Sequence, residues 1–116
     1  DCNPSRPVPV MHFHGTNDFL VPYGGGGAGF VSVADTIAQW VMHDGCTGDP
    51  VSVFDMDDAH CEAYDDCEGD GYVELCTVEN GGHCWPGVTS CPVGYSTDAI
   101  DASDRMAEFF LAHTLP

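Results

Sequence analysis

Residues Pro7 to Gly15 (PVPVMHFHG) form a short, nearly continuous apolar run that stops at a glycine. A strand buried on both faces, as inside a parallel sheet, reads this way. The next stretch, Thr16 to Phe30, is rich in turn formers and includes the run Gly24 to Gly27, so it predicts loop. No GKS, GKT or helix-opening GxGxxG accompanies these glycines, which read as a flexible connector and not as a phosphate cradle. The period then changes. Val33, Ile37, Trp40 and Val41 fall on one apolar stripe at helical spacing. Ser32 is placed to cap this helix, with Asp35 in a capping-box-like position, and Gly45 is placed to close it. Trp40 is expected in the core.

Val51 to Phe54 is a candidate short strand, and Tyr72 to Val78 (YVELCTV) a longer one rich in β-formers. Between them, the acidic segment Asp55 to Gly71 is expected to hold a small hairpin whose arm near His60 to Tyr64 approaches the longer strand. A glycine-rich turn with Gly81, Gly82 and His83 follows, then a loop bounded by Cys84 and Cys91. A last helix is predicted from about Asp98 to His113. It carries Ala99, Ala102, Met106, Phe109, Phe110 and His113 on or near one face, with Ser96, Thr97 and Asp98 as caps. Strand, helix, strand, hairpin, strand, helix is the order of the closing half of a doubly wound α/β sheet. The sheet it predicts is short, because a first strand apolar on both sides expects parallel neighbours and helices on both faces. Residues 1–6 are expected to be a linker and 7–116 the folded part of one domain.

Charge narrows the range of partners. Nineteen acidic residues face two arginines, Arg6 and Arg105, with no lysine, for a net charge of −17. Such a surface repels nucleic-acid backbones and anionic membrane lipids, and it suits high salt, where screening relaxes self-repulsion. The seven cysteines, Cys2, Cys46, Cys61, Cys67, Cys76, Cys84 and Cys91, are not arranged as paired CxxC knuckles. Structural zinc is therefore not indicated, and the set reads as a disulfide framework made in an oxidising compartment. With no signal peptide and no apolar run of transmembrane length in view, the expectation is a mature exported protein, secreted or periplasmic. Seven is an odd number, so either one thiol is free or one cysteine pairs with something outside this chain, and Cys2 is the expected orphan.

Two patterns carry chemistry. His14-Gly15-Thr16-Asn17-Asp18-Phe19-Leu20-Val21-Pro22-Tyr23 follows the first strand, and Gly81-Gly82-His83-Cys84-Trp85-Pro86-Gly87 follows the longer one. Both sit where α/β folds place their sites, at the carboxyl ends of strands. A histidine that takes a proton from a nucleophilic hydroxyl needs its other nitrogen held by a carboxylate, and Asp18 precedes His83 as the order nucleophile, acid, histidine requires. Taken singly, Asp18 reads as a loop cap and His83 as a turn residue. His12 and His14 are expected on opposite faces of their strand, leaving no simple ligand pair for zinc with His83. His14 is expected to brace the acid loop. Asp66-Cys67-Glu68-Gly69-Asp70-Gly71 imitates the start of a calcium loop, but Thr77 stands where an EF-hand needs its bidentate glutamate, so a solvated acidic hairpin is expected. Cys84 as a nucleophile is a competing reading, weakened because its neighbour His83 has no evident way to reach its thiol.

HGTNDFLVPY closely resembles the acid-bearing HGTxDxxVPY segment of secreted feruloyl esterases and poly(3-hydroxybutyrate) depolymerase-like esterases, members of the α/β-hydrolases. DGCTGDP, CEAYDDC, ELCTVENGGHCWPG and the terminal STDAIDAS…EFF resemble the same family in the same order, from Pro7 onward. The resemblance implies Asp18 as triad acid, His83 as general base and Trp85 as an aromatic wall for the acyl group, with no cofactor. It also implies disulfides Cys46–Cys76, Cys61–Cys67 and Cys84–Cys91, although the sequence itself leaves the connectivity open. The departure from the family is the absence of any GxSxG among Ser5, Ser32, Ser52, Ser90, Ser96 and Ser103. The expectation is thus the C-terminal part of an α/β-hydrolase whose nucleophile lies in a missing N-terminal half, and which alone turns over no ester. Two rival expectations are a secreted non-catalytic module that binds polysaccharide or polyester on the same scaffold, and an acidic calcium-dependent adhesion domain.

Overall fold

The computed structural model describes residues 3–114; Cys2, the expected orphan, lies outside them. The elements are β1 (Pro9–Gly15), α1 (Val33–His43), β2 (Val51–Met56), β3 (Ala59–Tyr64), β4 (Tyr72–Val78) and α2 (Ala102–Ala112). They build one mixed sheet in the order β1-β4-β3-β2. β1 runs parallel to β4, from Pro9 opposite Tyr72 to Gly15 opposite Val78. β3 is antiparallel to both β4 and β2.

β4 is the centre of the molecule because its alternating side chains feed two cores. Val73 and Leu75 meet Val33, Ile37, Trp40 and Val41 of α1 on one face. Cys76 and Val78 join Ala59, Cys61 and Ile100 on the other, with Met11 and Phe13 of β1 packed alongside. On that second face the carboxylate of Glu74, 3% exposed, accepts from Arg105 Nη2 at 2.6 Å and from Tyr72 OH at 2.8 Å. A buried carboxylate needs such partners, and this pair ties α2 to β4.

The local signals at α1 act as expected. Ser32 Oγ accepts from Asp35 N. At the far end Gly45, in the left-handed region at φ +60°, donates to Met42 O while Cys46 N donates to Val41 O, a Schellman close. α2 starts later than predicted. Asp101, not Ser96, Thr97 or Asp98, is its N-cap, its Oδ1 accepting from Ser103 N and Asp104 N.

Three expectations are corrected. Val51–Phe54 is not a strand ahead of a separate hairpin: β2 is the hairpin's first arm, β3 its second, and Asp57 and Asp58 make the turn. β1 is not buried on both faces; it is half-buried along most of its length, and among the described residues only β4 pairs with it. Finally, the disulfides are Cys46–Cys67, Cys61–Cys76 and Cys84–Cys91, so the implied Cys46–Cys76 and Cys61–Cys67 do not form. Strand register decides this. Cys61 and Cys76 are direct partners across β3 and β4. Cys46 instead leaves α1 beside the turn before β4, where Thr47 N donates to Asp66 O and Glu68 N to Asp44 O.

Candidate active site

Parallel pairing brings the carboxyl ends of β1 and β4 to the same end of the sheet, and the loops that follow interlock. Thr16 N donates to Val78 O and Asn17 N to Gly81 O. Gly15 permits this approach, since a Cβ there would lie 2.2 Å from the Gly81 carbonyl oxygen. No other residue type fits without moving backbone.

Past Gly15 the chain turns around Asp18. Its Oδ1 accepts from Leu20 N at 2.9 Å and Val21 N at 2.8 Å, a local turn that fixes the carboxylate. Its Oδ2 lies 2.8 Å from His83 Nδ1, with the aspartate side chain 5% exposed and the histidine 49%. Burial pushes the Asp18 carboxyl up. The Val21 amide, the His83 ring and the Leu20 amide outweigh burial and hold the group below the ordinary carboxylate range.

An ionised carboxylate only accepts hydrogen bonds, so the proton of this pair sits on His83 Nδ1. In the neutral ring Nε2 is then the acceptor. Among the described residues nothing hydrogen-bonds to it. The ring borders a cleft of about 300 Å³ shared with Phe13, His14, Val21 and Trp85. A proton acceptor oriented by a carboxylate and open to an apolar-walled cleft can deprotonate a hydroxyl placed there.

His14 braces the acid loop as expected. Its Nε2 donates to Val21 O at 2.8 Å and lies 3.5 Å from Asp18 Oδ2. The expectation that His12 and His14 face opposite ways is wrong. Two positions apart on a strand, they share a face, and their rings stack 5.3 Å apart at an interplanar angle of 5°. His12 Nε2 sits 3.1 Å from His14 Nδ1, and burial followed by the His14 charge lowers its pKa. With one His14 nitrogen on Val21 and the other on His12, the ring offers no nitrogen to zinc.

The histidine loop is held from outside. His83 N donates to Val93 O and Gly82 N to Tyr95 O, and the Cys84–Cys91 disulfide closes the loop between them. This bond also removes Cys84 as a nucleophile. Trp85, 45% exposed, stands in the cleft wall 5.8 Å from Phe13, with its Nε1 donating to Ser103 Oγ on α2 at 3.0 Å. The calcium-like segment holds no glutamate at its twelfth position. Thr77 is buried in β4 with its Oγ1 2.9 Å from Tyr23 OH, and Asp66 Oδ2 accepts from Thr47.

The histidine loop has one further anchor that the sequence does not signal. Asp58, in the hairpin turn, accepts from Thr97 Oγ1 at 2.5 Å and from Tyr95 OH at 2.6 Å. No motif marks these contacts, because they join positions 39 and 37 apart. A hairpin turn aimed at β4's far end was the available clue.

No protein-family model matches the chain. Feruloyl esterase B of Piromyces equi is 36% identical to it over an alignment of 90 residues that covers 71% of this chain and 16% of that protein. The chain therefore matches about a sixth of that relative's length, and at this identity it is related to an esterase. The three disulfides among the described residues are of the kind made in an oxidising compartment.

Proposed function

We propose that this chain is the acid-and-histidine portion of a secreted carboxylic-ester hydrolase of the α/β-hydrolase type, completed by a serine from an N-terminal half. The 2.8 Å contact between Asp18 Oδ2 and His83 Nδ1, with Asp18 clamped by two backbone amides, carries the reading. Two features support it: the edge of β1 that no described strand pairs with, and the likeness to feruloyl esterase B.

In this mechanism the serine hydroxyl gives its proton to His83 Nε2 while its oxygen attacks the ester carbonyl. Asp18 holds Nδ1–H and stabilises the imidazolium that forms. Collapse of the tetrahedral intermediate breaks the bond to the alcohol, which leaves with the proton from Nε2. Water, deprotonated by the same nitrogen, then frees the acid and restores the serine. Trp85 and Phe13 wall the cleft on the acyl side. Candidate substrates are feruloylated or acetylated polysaccharides and aliphatic polyesters. Cys2 is a candidate link to the other half, and alone the chain turns over no ester.

The test joins this chain to a preceding GxSxG-bearing segment and measures p-nitrophenyl ester hydrolysis. Asp18→Ala and His83→Ala are each expected to lower kcat by about 10⁴-fold, as loss of a triad member does. Activity that survives both substitutions, or binding of polysaccharide or polyester with no hydrolysis by the joined protein, overturns the proposal.

A further inference from the structure

The hairpin of β2 and β3 lies between the acid-bearing and histidine-bearing strands in sequence, yet its turn ends up against the histidine loop. Asp58 is the contact. Its Oδ1 takes the Thr97 hydroxyl and its Oδ2 the Tyr95 hydroxyl, while its backbone carbonyl accepts from Glu79 N just past β4. Hydrogen bonds to charged groups are roughly twice as strong as neutral ones, and Thr97 is 1% exposed. One carboxylate thereby ties residues 95–97 to the sheet.

Those residues are what the histidine turn rests on. Tyr95 O accepts from Gly82 N, Val93 O from His83 N, and Thr97 O from Gly87 N. The approach is too close for side chains: a Cβ on Gly82 would lie 2.6 Å from Gly94 Cα. A shift of 93–97 therefore carries Gly82 and His83 with it. His83 has no helix or strand of its own to hold it, so its angle to Asp18 depends on this outer strip.

We infer that Asp58 is a positioning residue for His83: the hairpin turn uses its carboxylate, through Tyr95 and Thr97, to hold the imidazole in line with Asp18. The inference rests on Asp18 and His83 being the working pair. It separates the hairpin's role from simple sheet extension, and it assigns Tyr95 and Thr97 to the same device.

The experiment is NMR of the 116-residue chain, reading the His83 imidazole nitrogens and the low-field Nδ1 proton shared with Asp18. Asp58→Ala and, separately, Tyr95→Phe with Thr97→Val are expected to weaken or broaden that proton signal and to mix the His83 tautomers. His14 ring signals should stay in place in both. Asp58→Asn, which retains an acceptor, should restore part of the signal. Tyr95→Phe alone removes only the hydroxyl of a half-exposed side chain, and it serves as the test should the stronger variants fail to fold. A His83 signature unchanged in the folded variants overturns the inference, as does an equal change at His14, which would mean general loosening. Neither outcome bears on ester hydrolysis by the joined enzyme, so failure of the hydrolase reading stays distinguishable.

Discussion

The two loops that meet at the end of the sheet are built in opposite ways. The acid loop is nearly self-contained: Asp18 is fixed by amides two and three residues on, and His14 reaches forward to Val21 O within the same turn. The histidine loop, stapled within itself by the Cys84–Cys91 bond, otherwise borrows its shape from afar, through Asp58 on the hairpin and the Trp85–Ser103 contact with α2. A carboxylate that only orients tolerates a rigid local clamp. A base that must meet a second proton partner has to be set in three dimensions, and that takes contacts from several elements.

The largest effect is expected where the two loops touch. Gly15→Ala places a methyl group against the Gly81 carbonyl, and neither backbone has a flexible side chain to yield. The cost should reach the upper end of the roughly 1–3 kcal/mol that overpacking costs. The displaced dyad should also lower turnover of the joined enzyme by about 100-fold, the effect of a misplacement near 1 Å. A thermal melt and an ester assay check both. If Gly15→Ala melts and turns over like the parent, the loops are not interlocked as described.

The same contrast explains what the sequence made legible. The caps of α1, the turn around Asp18 and the His14 brace each involve residues within a few positions of one another, where residue type alone states the chemistry. The meeting of Asp18 with His83 was legible from motif order, because two parallel strands ending in loops leave one edge for both. Of the implied disulfides only Cys84–Cys91 forms; the other two pairings were not legible, because Cys61 faces Cys76 only once β3 and β4 adopt their register. Asp58 was hidden for a like reason: an aspartate in a hairpin turn looks the same whether it caps its own backbone or grips residues nearly forty positions away. β1 also misled. Its continuous apolar run predicts cover on both faces, whereas the described chain supplies a neighbour on one edge alone. α1 tells a milder version of the same story, since its stripe was legible but not the strand it would cover.

A smaller effect is expected from opening the histidine loop alone. Replacing Cys84 and Cys91 together by serine removes a short closed loop, worth about 2–3 kcal/mol on the chain-entropy account. Because Gly82, His83 and Gly87 keep their backbone bonds to Val93, Tyr95 and Thr97, the imidazole should be loosened and not lost. A roughly tenfold fall in kcat of the joined enzyme, with the Asp18 clamp unaltered, is the expected result. Unchanged turnover would mean that Asp58 and its partners suffice to place His83.

The smallest effect separates the two anchors by pH. Asp18 and Asp58 both titrate below their ordinary range, Asp18 because amides and His83 overcome burial, Asp58 chiefly because of the Thr97 and Tyr95 hydroxyls. A depressed folded pKa stabilises the fold above the unfolded carboxylate value of about 4, and that contribution is lost as pH falls through the lower folded value. Acidification also discharges a chain carrying −17, which relieves self-repulsion and works in the other direction. The informative quantity is therefore the difference between parent and variant melting curves from about pH 5 down to pH 2. Asp18→Asn and Asp58→Asn should each narrow their gap to the parent as pH falls. They should differ in one respect: only Asp18→Asn removes the carboxylate that bonds His83 directly, so only its gap should shrink further when His83 is also replaced by alanine. A gap that stays constant with pH for Asp18→Asn would show that the carboxylate is not held ionised by its amides and histidine, and the acid loop would lose the self-sufficiency that distinguishes it from its partner.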